Sequence, residues 1–431
     1  MTGHGPERID LAVVGSGAAG LFAAIHAGQA AAEAGATLRI VAFDGARKLG
    51  AKILVAGGGR CNVTHWKVDE RDYAGSTPPA IRKVLRRWDV DRTVEFFAAR
   101  GVELKREETG KLFPVTDRAQ TVLDALLGAA RDAGAELRHP CRVLAVAHEP
   151  GGFALATEHG AVHARRVILC CGGRALPKSG SDGVGEALAR GLGHSITTHV
   201  VPALVPLRLP AGHWVTGLSG LTLPAEVTLR SGTGKKLASF TDSTLCTHFG
   251  LSGPSILNIS RHWTMARFDD PGAALALAWI PGLDVEQADR MLVDAKGRSA
   301  LAVLREGLGA PLPERLARAL CDEARIDPAA TVQQLPRDRR RALAQLLGAT
   351  PLPIEGDRGY TYAEATAGGV PLAEVRLETM ESRVMPGLHL AGELCDVEGR
   401  IGGFNFQWAW ASGFIAGSSA AQALLAAPAA P

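Results

Sequence analysis

The sequence predicts an α/β fold built around a parallel sheet, and three observations carry that prediction. Ile9-Asp10-Leu11-Ala12-Val13-Val14 is a short, mostly apolar strand run. Gly15-Ser16-Gly17-Ala18-Ala19-Gly20 follows at once and opens an alanine-rich helical stretch. A second apolar strand, Leu38 to Phe43, ends in Asp44, 24 residues after Gly20. Strand, G-x-G-x-x-G, helix and strand together make a Rossmann-like start. Gly15 permits the tight turn, Gly17 lets backbone approach a pyrophosphate, and Gly20 lets the helix pack closely on the strand. Ala18 and Ala19 begin the helix, whose free N–H groups and partial positive charge suit phosphates. A carboxylate at Asp44 would accept the two hydroxyls of an adenosine ribose. A bound dinucleotide is therefore expected. A glycine-rich turn that binds nothing would leave Asp44 unexplained.

The bulk composition narrows the class. A chain of 431 residues can hold two or three domains. Its 46% hydrophobic content fits an α/β enzyme, and 51 glycines suit close packing of helices on sheets. The net charge of +3 is too small to argue for nucleic acid or a membrane surface. Arg337-Asp338-Arg339-Arg340-Arg341 reads as a solvated helix face. The seven cysteines are odd in number and form no C-x-x-C pair, so neither a disulfide framework nor a metal site is expected. A reducing cytoplasm fits that usage. Met1 to Asp10 carries no apolar signal core. Ile401 to Pro431 has no charged residue, but Asn405, Gln407 and Gln422 make it a buried helix rather than a membrane span.

Three sections follow one another along the chain. Residues 1–197 alternate strand and helix. Leu85 to Arg100 is a helical candidate, and Thr116 or Asp117 could cap a helix running to Ala133. Glu136-Leu137, Cys141 to Ala147 and Val167 to Cys171 read as strands, with a hairpin turning at Glu158-His159-Gly160. Residues 198–355 change style. Pro202, Pro206 and Pro210 punctuate them, and short strands at Leu204–Leu209, Ala225–Leu229 and Lys236–Phe240 precede helices near 285–294, 313–324 and 337–347. That section reads as an inserted β-rich domain with a helical appendage. Residues 356–431 return to the first style and are expected to complete its sheet.

A second motif lies in Lys48-Leu49-Gly50-Ala51-Lys52 through Ala56-Gly57-Gly58-Gly59-Arg60-Cys61-Asn62. Three glycines in a row reach backbone conformations closed to other residues, and their N–H groups can cradle an anion. Lys48, Lys52 and Arg60 add positive charge beside them. A diphosphate or a flavin edge is expected at this loop. The same charge could lower the pKa of Cys61, but with no C-x-x-C the thiol reads as buried and structural.

Val13–Gly20, Lys48–Thr64, Phe113–Ala119, Thr247–Pro254 and Ala391–Gly413 together resemble the BaiN-like, or HI0933-like, family of bacterial FAD-dependent oxidoreductases. These stretches span almost the whole chain in order. The resemblance implies a flavoprotein of the two-dinucleotide-binding-domain type, with a Rossmann-like FAD-binding domain interrupted by the insert. Carried over by position, it implies that Gly15, Gly17 and Gly20 hold the pyrophosphate and Asp44 the ribose. It implies that Val143 contacts adenine through its backbone, and that Gly392, Glu393, Asn405 and Gln407 line the ribityl chain and flavin. Cys171-Gly172-Gly173 stands where the family more often ends its strand in Ala-Thr-Gly-Gly. Gly402-Gly403-Phe404 would press backbone against the isoalloxazine ring, ahead of the uncharged C-terminal helix.

The implied activity is reduction of a small organic substrate, such as an activated C=C bond, by hydride from reduced flavin, with NAD(P)H a candidate reductant. A flavin-dependent RNA-modifying protein and a non-catalytic flavin sensor are the alternatives. The charge of +3 weighs against the first. No catalytic residue is identified. His248 and His389 are candidate acids or bases, each read more simply as a histidine satisfied inside the fold.

Overall fold

The strand β1 (Glu7–Val14) lies between two parallel neighbours because its apolar run is continuous. Leu11, Ala12 and Val13 are fully buried, as a strand covered on both faces requires. The computed structural model describes residues 7–427, so parts of the Met1–Asp10 and Ile401–Pro431 segments lie outside the described residues. The chain divides into two compact units. One comprises residues up to Pro202 with those from Ala363 onward, and the other is Ala203–Tyr362.

In the first unit, β1 leads through α1 (Ala18–Glu33) to β2 (Ile40–Phe43). The helix α2 (Ala51–Gly59), α3 (Ala119–Asp132) and β3 (Glu136–Arg138) follow. The long strand β4 (Gly160–Leu169) and β5 (Leu388–Leu390) complete the parallel set, and α4 (Phe404–Ala426) closes the chain. The strand order is β5-β4-β1-β2-β3, with the short strands Glu381–Ser382 and Val375–Arg376 beyond β5. The register aligns the strand ends: Val14 pairs with Phe43 on one side and Leu169 on the other, and Leu169 pairs with Leu390. Four loops therefore emerge side by side at the carboxyl edge. The chain steps from β1 outward to β2 and β3, then returns to β4 on the opposite side of β1. This reversal of direction makes the crevice in which open α/β sheets bind ligands.

The two long helices of this unit pack at glycine distance. A Cβ on Gly413 would stand 2.5 Å from the Ala19 carbonyl oxygen, and one on Gly417 would stand 2.1 Å from that of Ala23. Trp408 and Trp410 of α4 are buried, with indole N–H groups donated to the carbonyls of Gly392 and Val63. Among the described residues no helix is long and apolar enough to cross a membrane.

The second unit has its own core. An antiparallel sheet runs in the order Thr350–Leu352, Ala274–Ala278, Thr222–Arg230, Lys236–Thr247, Gly250–Ser252, Leu207–Arg208, Gly356–Asp357. Helices Pro254–Asp269, Val285–Asp294, Ala300–Glu306, Glu314–Glu323 and Arg337–Ala349 accompany it.

Several local expectations need correction. The helix read over Leu85–Arg100 is two, Pro78–Leu85 and Val90–Ala98, because Asp89 accepts the Arg92 N–H at 3.0 Å and caps a new start. Asp117 is not a cap; it sits at φ +51° and pairs with Lys105 and Arg60. The apolar residues before the triple glycine belong to α2.

Candidate functional site

The turn after β1 is built so that only glycine fits where the chain crowds itself. Gly15 has φ +96°, and a Cβ there would lie 2.5 Å from the Cys170 carbonyl oxygen. A Cβ on Gly20 would lie 1.8 Å from the Gly15 oxygen. Gly17 differs: its φ is −78° and nothing stands within 4 Å of a built Cβ. The protein leaves open the space that a pyrophosphate would take. No side chain caps α1 at Gly17, so the first amides of the helix, from Ala18 and Ala19 onward, remain available to an anion. Asp44, at the end of β2, is held by the same turn. Its Oδ2 accepts the Ser16 N–H and its Oδ1 the Ala46 N–H, both at 2.8 Å. Each oxygen keeps a lone pair for a further donor.

The buried side-chain atoms Ser16 Oγ, Asn62 Oδ1 and Ser181 Oγ, all in this unit, make no hydrogen bond to protein. Unsatisfied buried oxygens are costly and point to a missing ligand or water. Ser16 belongs to the glycine turn. Ser181 Oγ lies 2.8 Å from a Cβ built on Gly172, and Glu393 Oε2 lies 3.7 Å from the same point. The open cradle at Gly17, the orphaned oxygens and the carboxylate at Asp44 form a donor and acceptor set that fits an adenine dinucleotide.

Facing strand ends complete the edge. Gly172 has φ +71°, and the Cys171 thiol donates to the Val14 carbonyl at 3.4 Å. Val143 begins the strand Val143–Glu149 and is buried, opposite Thr157. Beyond β5, Glu393 is tied on both sides. Its Oε1 accepts the Thr366 N–H at 2.8 Å, and its Oε2 meets Lys52 Nζ at 2.5 Å. Thr366 Oγ1 in turn accepts the N–H groups of Arg174 and Ala175 at 2.8 and 3.0 Å. Thr366 thus fastens the loop after β4 to Glu393. Nothing in its local sequence announces that role.

The triple-glycine loop breaks α2 at Ala56, and Gly57, Gly58, Gly59 and Cys61 all take positive φ, at +57°, +70°, +85° and +60°. The three glycines are exposed. The positive charge expected here is largely committed to protein. Arg60 pairs with Glu107 at 2.6 Å and Asp117 at 3.5 Å and lies 4.0 Å over the Phe113 ring, while Lys52 is taken by Glu393. Lys48 is exposed. Cys61 is wholly buried, and burial pushes its thiol up to about 12, the opposite of activation. Burial does the same to Cys395.

Two residues at the start of α4 turn inward. Asn405 accepts the Gly399 N–H at 2.8 Å and donates to the Gly399 carbonyl at 3.0 Å. Gln407 is buried; its Oε1 accepts from Thr64 and Thr93 at 2.7 and 3.0 Å, and its Nε2 donates to the Trp88 carbonyl at 2.8 Å. These side chains brace the protein through nearby backbone and hydroxyl groups. Gly402 and Gly403 do form a tight turn, with φ +130° and +92°, and Phe404 stacks on His65 at 4.9 Å. Of the two histidines singled out, His389 is buried and neutral, pushed down to about 4 by burial and held by the Thr379 carbonyl at 3.0 Å. His248 lies in the second unit against Phe249.

Comparison with known proteins agrees with this geometry. The family described as HI0933-like protein Rossmann domain matches residues 9–419. A 3-dehydro-bile acid delta(4,6)-reductase of Clostridium scindens is 34% identical over 412 residues, covering 96% of this chain and 99% of the relative. A ribosomal RNA dihydrouridine synthase of Escherichia coli is 33% identical over 426 residues, covering 98% and 99%. Among solved structures, the 3-ketosteroid delta1-dehydrogenase of Sterolibacterium denitrificans shares the fold with a TM-score of 0.50 at 14% identity, covering 97% of this chain and 100% of its own. A quinol–fumarate reductase with menaquinol does so with a TM-score of 0.51 at 15% identity, covering 99% and 73%. The match along nearly the whole length, with the glycine turn, Asp44 and the Gly392-Glu393 strand end meeting at one sheet edge, places the chain in the HI0933-like family of Rossmann-fold flavoproteins, as an FAD-dependent oxidoreductase.

Proposed function

We propose that this oxidoreductase reduces a carbon–carbon double bond conjugated to a carbonyl in a small organic molecule. One observation carries the reading. The two relatives named above differ in substrate, an oxo bile acid and a uridine in RNA, yet both names denote saturation of an alkene activated by a neighbouring carbonyl. That bond is common to the activities those two names describe. The small net charge favours the small molecule over RNA for this chain.

FAD would lie along the carboxyl edge, its pyrophosphate over Gly15–Gly20, its adenosine ribose at Asp44 and its adenine against the Val143 backbone. Gly392 and Glu393 would meet the ribityl chain. The loop Gly57–Asn62 and the turn Gly402-Gly403-Phe404 would flank the ring, with Cys171 and Gly172 closing the crevice. When bound, FAD supplies the hydride equivalent. The protein's part is to orient it, exclude water and handle the proton. Only one G-x-G-x-x-G follows a strand, so NAD(P)H, the proposed reductant, would dock at the flavin without a domain of its own. Seven free cysteines suit a reducing cytoplasm.

The test is anaerobic. The purified, photoreduced holoprotein is mixed with a 4,6-dien-3-one steroid, with 2-cyclohexen-1-one, with a quinone and with ribosomal RNA. Return of oxidised-flavin absorbance with an enone, and a saturated product, is expected. Reoxidation by the quinone or the RNA alone would overturn the reading.

A further inference from the structure

In the sheet of the second unit, Leu207–Arg208 runs between Gly250–Ser252 and Gly356–Asp357. Thr247 and Gly250 pair across a hairpin whose tip is His248-Phe249. On the other side, Arg358 directly follows Gly356–Asp357, and its N–H donates to the Pro206 carbonyl at 3.1 Å. The half-buried Arg358 side chain crosses the strand between them. Its guanidinium carbon lies 4.2 Å from the centre of the Phe249 ring and 3.5 Å from that of Tyr362. The two rings do not pack on each other, so they flank the guanidinium from different sides.

Stacking of this kind covers the faces of a guanidinium and leaves its N–H donors directed outward in the plane. Among the described residues nothing accepts those donors from Arg358, and no carboxylate pairs with it. Arg60 shows the contrast: it too lies over a ring, but Glu107 and Asp117 take its charge. Arg208 adds a second cation without a carboxylate partner among the described residues. It stands in register with Gly250 on one side and Gly356 on the other. Its Nη2 lies 3.3 Å from a Cβ built on Gly356, two residues before Arg358. Asp357 alternates to the opposite face, and its Oδ1 accepts the Gly359 N–H at 2.6 Å. Two guanidinium groups on one patch repel each other unless an anion lies between them. The same row of the sheet continues through Gly250 to Thr247, whose Oγ1 is buried and makes no hydrogen bond to protein.

We propose that Arg358 and Arg208 form a recognition site for the carboxylate of an organic acid. A carboxylate is planar and can meet the edge of a guanidinium with two parallel hydrogen bonds. The rims of Phe249 and Tyr362 would cover the apolar carbon to which it is attached. The ligand class is therefore an apolar body ending in a carboxylate, rather than inorganic phosphate. Such binding belongs to the second unit alone and does not depend on the reductase reading.

Calorimetric titration of the holoprotein with benzoate, benzamide and inorganic phosphate tests the site. Benzoate should bind saturably. Benzamide, similar in shape but uncharged, should not, and phosphate should displace benzoate only weakly. Arg358→Gln should weaken benzoate binding about 10–100-fold. Arg358→Lys should recover only part of the loss, because an ammonium keeps the charge but not the fork. Arg208→Gln leaves the stack on Phe249 and Tyr362 in place and should weaken benzoate less. Melting temperature and FAD content of each variant should match wild type. Should Arg358→Gln melt early, Arg208→Gln carries the test, since residue 208 is exposed. No saturable benzoate binding, equal binding of benzoate and benzamide, tighter binding of phosphate, or wild-type affinity in folded Gln variants would overturn the proposal.

Discussion

Lys52 and Glu393 stand 341 positions apart in the chain and are joined by a 2.5 Å ion pair at the carboxyl edge of the sheet. Both side chains are partly screened from water, at 29% and 17% exposure. The pair ties α2 to the loop after β5, and Glu393 also satisfies the buried Thr366 N–H. Glu393→Ala would strand that N–H and leave Lys52 without its partner. A loss of about 1–3 kcal/mol in unfolding free energy is expected, with weaker FAD retention. Glu393→Gln keeps an acceptor for Thr366 and should fall between. Urea midpoints and FAD fluorescence on dilution measure both effects. A Glu393→Ala protein with an unchanged midpoint and full FAD would remove this pair from the site.

Gly17 and Gly20 make opposite predictions although both belong to one motif. Space around a Cβ at Gly17 is empty, so Gly17→Ala should leave the apoprotein's melting temperature nearly unchanged while weakening FAD binding, and Gly17→Val should abolish it. Gly20→Ala puts a methyl 1.8 Å from the Gly15 oxygen, which the turn can relieve only by moving. Apoprotein stability should then drop by about 1–3 kcal/mol or more. Melting curves of stripped protein, paired with FAD titrations, separate the two cases. A yellow, FAD-saturated Gly17→Val protein would sink the assignment of the pyrophosphate to this turn.

The glycine turn and Asp44 are legible in sequence because their signal is local: the strand, turn, helix and acid lie within 36 residues, from Ile9 to Asp44. Thr366 and the Lys52–Glu393 tie are not, since each depends on strands brought together from distant parts of the chain. The bonds of Asn405 and Gln407 to groups on Gly399, Thr64, Thr93 and Trp88 are equally silent in the local sequence, which suggests only ligand contacts. Helix Pro254–Asp269 escaped notice for another reason. Ser255, Asn258 and Ser260 are buried alongside Ile256, Ile259 and Trp263, so no clean apolar stripe marks the helix. The charge of Arg60 was legible, but not that Glu107 and Asp117 neutralise it.

His26 makes stability depend on pH. It is packed edge-on among Phe22, Trp88 and Phe414, with ring centroids 4.6, 4.8 and 4.9 Å away. Burial, aided by Arg100, pushes its pKa down to about 3. Between that value and the ordinary histidine value of 6.5 the unfolded chain binds a proton that the native chain does not. Stability from this site is therefore full above about pH 6.5 and is lost as pH falls toward 3. His26→Leu removes the proton and keeps a similar volume. Relative to wild type, the variant should gain about 2 kcal/mol more at pH 5 than at pH 7. Urea titrations at the two pH values decide it, and equal differences at both would show that His26 does not carry this dependence.

Gly413 and Gly417 set the distance between α4 and α1, and through it the position of the phosphate turn. Each sits one glycine-width from a carbonyl of α1, those of Ala19 and Ala23. Ala19 is itself in the first turn of α1, whose amino end would face the pyrophosphate. A side chain at 417 has no flexible neighbour to displace, because a Cβ there would stand 2.1 Å from backbone oxygen. Gly417→Val should therefore push the helices apart, costing roughly 1–3 kcal/mol or more by overpacking. It should also weaken FAD binding, although residue 417 would not touch the cofactor. Gly417→Ala should do the same more mildly. Gly35→Ala serves as a control, since it also strains a glycine but meets nothing within 4 Å and lies beyond the far end of α1. It should lower stability without changing FAD affinity in the folded protein. The measurement is FAD affinity at a temperature where each variant is fully folded by circular dichroism. Equal affinities for Gly417→Val and Gly35→Ala would show that α4 buttresses the fold without positioning the phosphate turn.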